Sequence, residues 1–339
     1  MVKISVVMPT YNVTAAILRE TVESILSQTF RDFEFIIIDD CSTDDSVEYL
    51  CGLRDERIKL IRNPENIGIT KSLNIGFRAA QGKYIARMDS DDIALPTRFE
   101  KQYAFMESHP DVIVCGSRVE YFGAISFISN EKTKNMEDYR INALFVNPGP
   151  MHPTAFFNHE LLLRYHISYD ERLVYAQDYG LWAEISKYGK VYILEEALLR
   201  YRVYSNQVSK TRREMQIQCD KMIQQKLLQE LLGNVTEEEV DLHYCYGTGF
   251  YRDAAINPEM VNWFHRLMNA NNQAGIYNKR KFNHYVYSVI IKRTIYQSFH
   301  SNMTLFQKTA MFFRYLPFPT AIKAATGMIG RELMRRLQE

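Results

Sequence analysis

The feature that most constrains this chain is a repeated switch of hydrophobic period between Lys3 and Cys115. Lys3–Met8, Phe33–Ile38, Ile58–Ile61, Tyr84–Met88 and Val112–Cys115 are short, mostly apolar runs bounded by turn residues, and they read as buried strands. Between them the period becomes helical: Ile17, Leu18, Val22, Ile25 and Leu26 share one face, as do Leu73, Phe77 and Ala80, and then Phe99, Tyr103 and Met106. Thr43 is expected to cap a short helix holding Val47 and Leu50, Gly82 to stop the helix before it, and Pro96 to open the next. Strands alternating with helices define an α/β chain, with a mostly parallel sheet and helices on both faces.

In such a sheet, ligands bind beyond the carboxyl ends of the strands. Three of those ends carry polar clusters: Pro9-Thr10-Tyr11-Asn12, Asp39-Asp40-Cys41-Ser42-Thr43-Asp44 and Asp89-Ser90-Asp91-Asp92. The last crowds three carboxylates into four positions. It reads either as a solvated turn or as a site for a hard divalent cation, since neighbouring carboxylates repel until a cation neutralises them. Mn²⁺ or Mg²⁺ held there would carry the charge of a leaving diphosphate. Asp39 follows three isoleucines and is placed to accept from a nucleobase N–H, whereas Asp40 and Ser42 to Asp44 also suit a helix cap. Pro9, Thr10 and Tyr11 offer backbone groups and an aromatic ring to a base. No G-x-G-x-x-G follows the first strand and no G-x-x-x-x-G-K-[ST] occurs, which disfavours a dinucleotide fold and a P-loop.

Composition removes other classes. The five cysteines (41, 51, 115, 219 and 245) form no C-x-x-C pair, so a zinc knuckle or disulfide framework is disfavoured and a reducing, cytoplasmic compartment is expected. The opening MVKISVVMPTYN reads as a strand and not as a signal peptide, and no spanning helix is expected. The net charge of +1 conceals an asymmetry: residues 260–331 contain no Asp or Glu, and residues 260–339 hold twelve Lys or Arg against two acidic residues. With bulky apolar residues such as Leu305, Phe306, Phe312 and Phe313 interspersed, the tail is expected to lie on an anionic membrane surface, peripheral on the inner face of the plasma membrane. Packing on the protein itself is the competing reading. No nucleic-acid-binding motif accompanies the charge, so no nucleic-acid partner is expected. A homo-oligomer is left open.

SVVMPTYN, IIIDDCSTDDS, NPENIGITKSLNIGF and GKYIARMDSDD, followed by MHPTAFF, AQDYGLW and LLRYRVYSNQVS, resemble in order and spacing the inverting family 2 glycosyltransferases of the GT-A fold. The closest flavour is that of bacterial enzymes of capsule, O-antigen or exopolysaccharide synthesis. The resemblance spans about residues 3–210. It implies a Rossmann-like GT-A catalytic domain over 1–210, with a nucleotide-binding half to about 118 and an acceptor half from about 119. The helical periodicity of the remainder places a mainly helical C-terminal region over 211–339. A capping box is read at Thr236.

The resemblance also implies roles. Pro9, Thr10, Tyr11 and Lys71 would serve the nucleotide, with Asp39 reading a uracil edge. In the D-x-D pattern, here Asp89-Ser90-Asp91, the first carboxylate would lie near the ribose and Asp91 would take the metal, with Asp92 near the donor sugar. Asp178 would be the general base, kept ionised by a helix N-terminus, although Gln177 stands where the family usually has Glu. Arg202 would fold over the diphosphate. His152 and Trp182 are candidates for the acceptor side, each with a structural role as its alternative, and Tyr204 stands where many relatives have His. The activity implied is transfer of a sugar from a UDP-sugar to a saccharide or lipid-diphosphate-saccharide acceptor. A catalytically silent nucleotide-sugar-binding subunit and, further off, a sugar-nucleotide pyrophosphorylase are the alternatives.

Overall fold

A computed structural model of the chain describes residues 2–204, 213–248 and 257–299, with short stretches between 307 and 325. The chain divides into two units, Met1–Ala143 with Asn147–Ile223, and Leu144–Val146 with Gln224–Glu339. The division placed at residue 210 by sequence lies outside the described residues, as does most of the basic tail after residue 300.

The first unit is built on one sheet. Its strands are β1 (Ile4–Thr10), β2 (Phe33–Asp39), β3 (Ile58–Arg62), β4 (Tyr84–Arg87), β5 (Ile93–Ala94), β6 (Val112–Gly123), β7 (Phe127–Ile128), β8 (Phe156–Asn158) and β9 (Lys190–Val203). They lie in the order β3-β2-β1-β4-β8-β6-β9-β5, with β7 on β6. β1, β2, β3 and β4 are mutually parallel, and β6 runs parallel to β9, whereas β8 is antiparallel to both of its neighbours.

The two-residue alternation of the strands divides the core between the faces. Val6, Met8, Phe35 and Ile37 face Leu18, Val22 and Ile25 of α1 (Ala15–Leu26), Leu50 of α2 (Ser46–Gly52), and Phe99 and Met106 of α4 (Arg98–Ser108). Val7, Ile36 and Ile38 face Leu73 and Phe77 of α3 (Ile69–Ala79), Tyr139 of α5 (Met136–Ala143), Leu161 of α6 (His159–Arg164), and Leu181, Trp182 and Ile185 of α7 (Gln177–Ile185). Both faces are thus covered, which is why the strand runs are apolar throughout. Each fully buried Leu, Ile, Val or Phe contributes about 1.5–3 kcal/mol.

Three local expectations are corrected. β6 continues eight residues beyond Cys115, because it pairs with β9 along its whole length through two irregularities near Ser117. Past that point its outer residues turn partly to solvent, and the uniform apolar signal fades. Thr43 does not cap α2; its backbone N–H donates to Asn12 Oδ1 at 2.9 Å, and Asp44 Oδ1 takes the Ser46 N–H. Gly82 is not a left-handed helix stop. A Cβ there would stand 2.5 Å from Ser5 N, so the glycine is needed for close approach to β1.

In the second unit, α9 (Glu237–Gly247) starts on the capping box read at Thr236, whose hydroxyl and backbone N–H pair with Glu239. α10 (Pro258–Ala274) is capped by Asn257 and ends on Gly275 at φ +66°; α11 (Lys279–Phe299) follows. Buried His243 ties the unit together. Its Nδ1 accepts from Trp263 Nε1 at 3.2 Å, which leaves Nε2 to donate to Leu144 O at 2.8 Å. Burial pushes this imidazole down to about 4, so it is neutral. Among the described residues no helix is long and apolar enough to cross a membrane.

Candidate active site

The sheet register aligns the polar strand ends. Thr10 lies opposite Asp39, and Asp39 opposite Arg62. Met88 N–H donates to Val7 O at 3.0 Å, so the β4 terminus emerges at the same edge. The three clusters seen in sequence therefore share one rim.

At β1, Pro9 and Thr10 are buried, with the Thr10 hydroxyl unpartnered, and Tyr11 is 48% exposed. At β2, Asp39 Oδ1 accepts from Ser42 N–H at 2.9 Å and Oδ2 pairs with Arg62 Nε at 3.1 Å. A carboxylate has about four lone-pair sites, so capacity for a base N–H remains. Asp40 has a different task. It takes Asn63 Nδ2 (2.8 Å), Ile67 N–H (3.0 Å) and Gly68 N–H (2.8 Å), fixing the loop that launches α3. Gly68, at φ +88°, is the hinge of that turn, and Lys71 stands exposed just inside the helix.

The Asp89–Asp92 segment is held from three sides. Below it, Arg87 is 2% exposed and its Nη1 meets Asp89 Oδ2 at 2.5 Å. From α1, the Thr21 hydroxyl reaches Asp92 O at 2.8 Å and Ser90 O at 3.1 Å. From β9, Arg202 N–H donates to Asp92 Oδ1 at 2.8 Å, Arg202 Nε to Asp91 O at 2.8 Å, and its Nη2 meets Glu20 Oε2 at 2.6 Å. Arg202, expected over a diphosphate, thus clamps the acidic turn in this state. Ser90 is buried and Asp92 is 1% exposed.

This confinement sets the electrostatics. Burial, then repulsion from Asp89, pushes the Asp91 carboxyl up to about 6. The same causes, with Asp91 added, hold Asp92 well above the ordinary carboxylate range. Asp92 Oδ2 is buried with no hydrogen-bond partner. Tyr204 donates to the Asp91 carboxylate, and its phenol is pushed up to about 12, chiefly by burial. Crowded carboxylates, one with an orphaned buried oxygen, fit a divalent cation. Among the described residues no group of three or more acidic, His or Cys side chains forms a ready cage. That matches an Mg²⁺- or Mn²⁺-type site completed by substrate phosphates and water.

Asp178 lies in the first turn of α7, half-buried, with Asn147 Nδ2 donating to its Oδ2 at 2.9 Å. The sequence reading had the helix N-terminus holding this carboxyl ionised. Desolvation outweighs the backbone N–H groups, Asn147 and Arg87, and the carboxyl sits above its ordinary value. An upward shift makes it a stronger base than an exposed aspartate. Arg87 bears on Asp89, Asp92 and Asp178 together, so the acidic turn and Asp178 face one buried cation.

His152 and Trp182 are placed behind this surface. His152 Nε2 pairs with the Tyr169 hydroxyl at 2.7 Å, and burial holds its imidazole well below the usual range. Trp182 is fully buried, stacked on Phe157 and edge-on to His152. Both are core residues in this structure, which corrects their placement on the acceptor side.

Sequence reasoning missed Arg87, Thr21, Glu20 and Asn147. Arg87 alone left a local trace: a cation in a four-residue strand that is otherwise wholly apolar.

Residues 5–165 match the profile of glycosyl transferase family 2. A glycosyltransferase of Methanocaldococcus jannaschii is 37% identical over 210 residues, covering 59% of this chain and 70% of that protein. The amylovoran biosynthesis glycosyltransferase AmsE of Erwinia amylovora is 32% identical over 202 residues, covering 58% and 74%. Among solved structures, S. aureus TarS 1-349 in complex with UDP-GlcNAc superposes with a TM-score of 0.59 at 18% identity, over 88% of this chain and 91% of that one. The Pyrobaculum calidifontis mannosyltransferase PcManGT with GDP-Man and Mn²⁺ gives 0.52 at 18% identity, over 86% of each. The chain belongs to glycosyl transferase family 2. It is a glycosyltransferase of GT-A fold.

Proposed function

We propose that the chain moves a sugar from a UDP-sugar to a saccharide acceptor, with inversion at the donor carbon, in the synthesis of a cell-surface polysaccharide. The carrying observation is Arg87, the shared neighbour of the acidic turn and of Asp178. It brings a metal-diphosphate surface and a candidate base within electrostatic range of each other. Pro9, Thr10, Tyr11, Asp39 and Lys71 bind the nucleotide, and Asp89 faces the ribose. Asp91, with Ser90 and Asp92 shaping the turn, holds Mn²⁺ or Mg²⁺. The bound cation supplies charge neutralisation for the departing diphosphate. Arg202 keeps the turn in place until substrate arrives, and its guanidinium is suited to phosphate oxygens.

Asp178 takes the proton from the acceptor hydroxyl as that oxygen attacks the anomeric carbon from the face opposite UDP. Base assistance of this kind contributes about 10²–10⁴-fold. The names of AmsE and of the TarS complex support polysaccharide synthesis and a uridine donor. The basic residues of 260–339 support a lipid-linked acceptor reached at an anionic membrane surface.

UDP release from a panel of UDP-sugars with Mn²⁺, using wild type and Asp178→Asn, tests the reading. We expect turnover with at least one donor and a loss of two orders of magnitude or more in the variant. Equal turnover by the two proteins would overturn the base assignment.

A further inference from the structure

The loop before His152 is built more tightly than a connection requires. Pro148 and Pro150 fix its backbone, and both are buried. At Gly149 between them, an added Cβ would stand 2.0 Å from Trp182 Cδ1 and 2.1 Å from its Nε1. On the other side, a Cβ at Gly116 of β6 would stand 2.3 Å from Pro150. The loop is therefore pressed between β6 and α7, the helix that also carries Asp178. Its first residue, Asn147, is exposed. Asn147 Oδ1 accepts from Gly149 N–H at 3.1 Å, which can only donate, so the Nδ2 amide must face Asp178 Oδ2.

We propose that Asn147 is the positioning residue for the base of this glycosyltransferase, its amide gripping Asp178 Oδ2 and so fixing the plane in which the carboxylate offers its remaining lone pairs to the acceptor hydroxyl. The role rests on Asp178 being that base. When the acceptor O–C1 bond forms, the C1–O bond to the diphosphate breaks with its electron pair leaving on UDP, and the hydroxyl proton passes to Asp178. An amide suits the task because it orients a carboxylate without the large loss of basicity that a Lys or Arg partner would impose. Gln177, the adjacent residue, does not share the work; its Oε1 is buried without a partner. The charged and titratable groups facing Asp178 from the packed elements are Arg87 of β4, Tyr139 of α5 and Tyr169 of the segment before α7. None is a second donor to Oδ2 among the printed contacts of the described residues.

The test is the titration of Asp178 in the full chain labelled with ¹³Cγ-aspartate, its resonance assigned by its loss in Asp178→Asn. Removing the amide in Asn147→Ala withdraws a donor that favours the charged form, so the midpoint rises by about half a unit or more. Asn147→Asp sets a like charge against Asp178 and raises the apparent midpoint by about one unit or more. A purely structural loop residue would move neither, provided both variants keep the wild-type thermal unfolding temperature. A midpoint unchanged in both folded variants would overturn the positioning role and leave the base assignment standing. A shifted midpoint, with Asp178→Asn turning over donor at the wild-type rate, would overturn the base assignment and with it this role.

Discussion

The backbone N–H of Arg202 donates to Asp92 Oδ1 at 2.8 Å, joining segments 110 residues apart. Through this bond the last strand of the sheet pins the acidic turn at the end of β4. The Arg202 side chain extends the clamp to Asp91 O and to Glu20 on α1. Asp92 is therefore a structural keystone of the turn as well as a member of its charge cluster.

Asn at position 92 keeps an Oδ1 acceptor for that N–H, whereas Ala removes it and strands a buried donor. Leaving such a group unmatched costs about 1–3 kcal/mol. Urea unfolding should rank Asp92→Ala below Asp92→Asn by about that amount. Equal midpoints for the two variants would contradict the keystone role.

Asp91 yields a pH signature. Its carboxyl, raised to about 6, keeps a proton in the folded chain over a window above the ordinary 3.8 in which the unfolded chain has lost it. Folding takes up a proton there, so the stability it contributes falls as pH rises toward 6. Asp91→Asn escapes this penalty, and buried His152 and His243 titrate alike in both proteins and cancel in the comparison. Without metal, the variant's unfolding temperature should match wild type near pH 4 and exceed it by about 2–4 °C at pH 7. Adding Mn²⁺ should raise wild type only. A wild-type advantage at pH 7 without metal would refute the account of this cluster.

Gly149→Ala drives a methyl into the Trp182 indole, which is fully buried and stacked on Phe157 and has nowhere to retreat. Overpacking of this kind costs about 1–3 kcal/mol. Denaturant unfolding followed by tryptophan fluorescence should show the loss. An unperturbed midpoint would mean that the loop is free to move off α7.

What sequence made legible here follows from where each signal resides. The β1, β2 and β4 termini announce themselves locally, because an apolar run ends abruptly in acidic or turn residues. Their meeting on one rim follows from the parallel register alone. The supports of the acidic turn left no local trace: Thr21 reaches Ser90 and Asp92 across 69 and 71 residues, and Arg202 reaches Glu20 across 182. The direction of the Asp178 shift was misjudged for a related reason. A helix N-terminus is visible in AQDYGLW, but the burial that overrides it is supplied by β4, α5 and the Asn147 loop. Trp182 and His152 were drawn toward the acceptor side by their chemistry, and tertiary packing placed them in the core.

The central claim is that the acidic turn binds a divalent cation together with the diphosphate of a uridine nucleotide. Isothermal titration of UDP into the full chain, with and without Mn²⁺, tests it in wild type and in Asp91→Ala. The account predicts that Mn²⁺ tightens UDP binding at least about tenfold in wild type, equivalent to about 1.4 kcal/mol, and leaves the variant unchanged. Metal-independent UDP affinity in wild type, or an undiminished metal effect in Asp91→Ala, would contradict it.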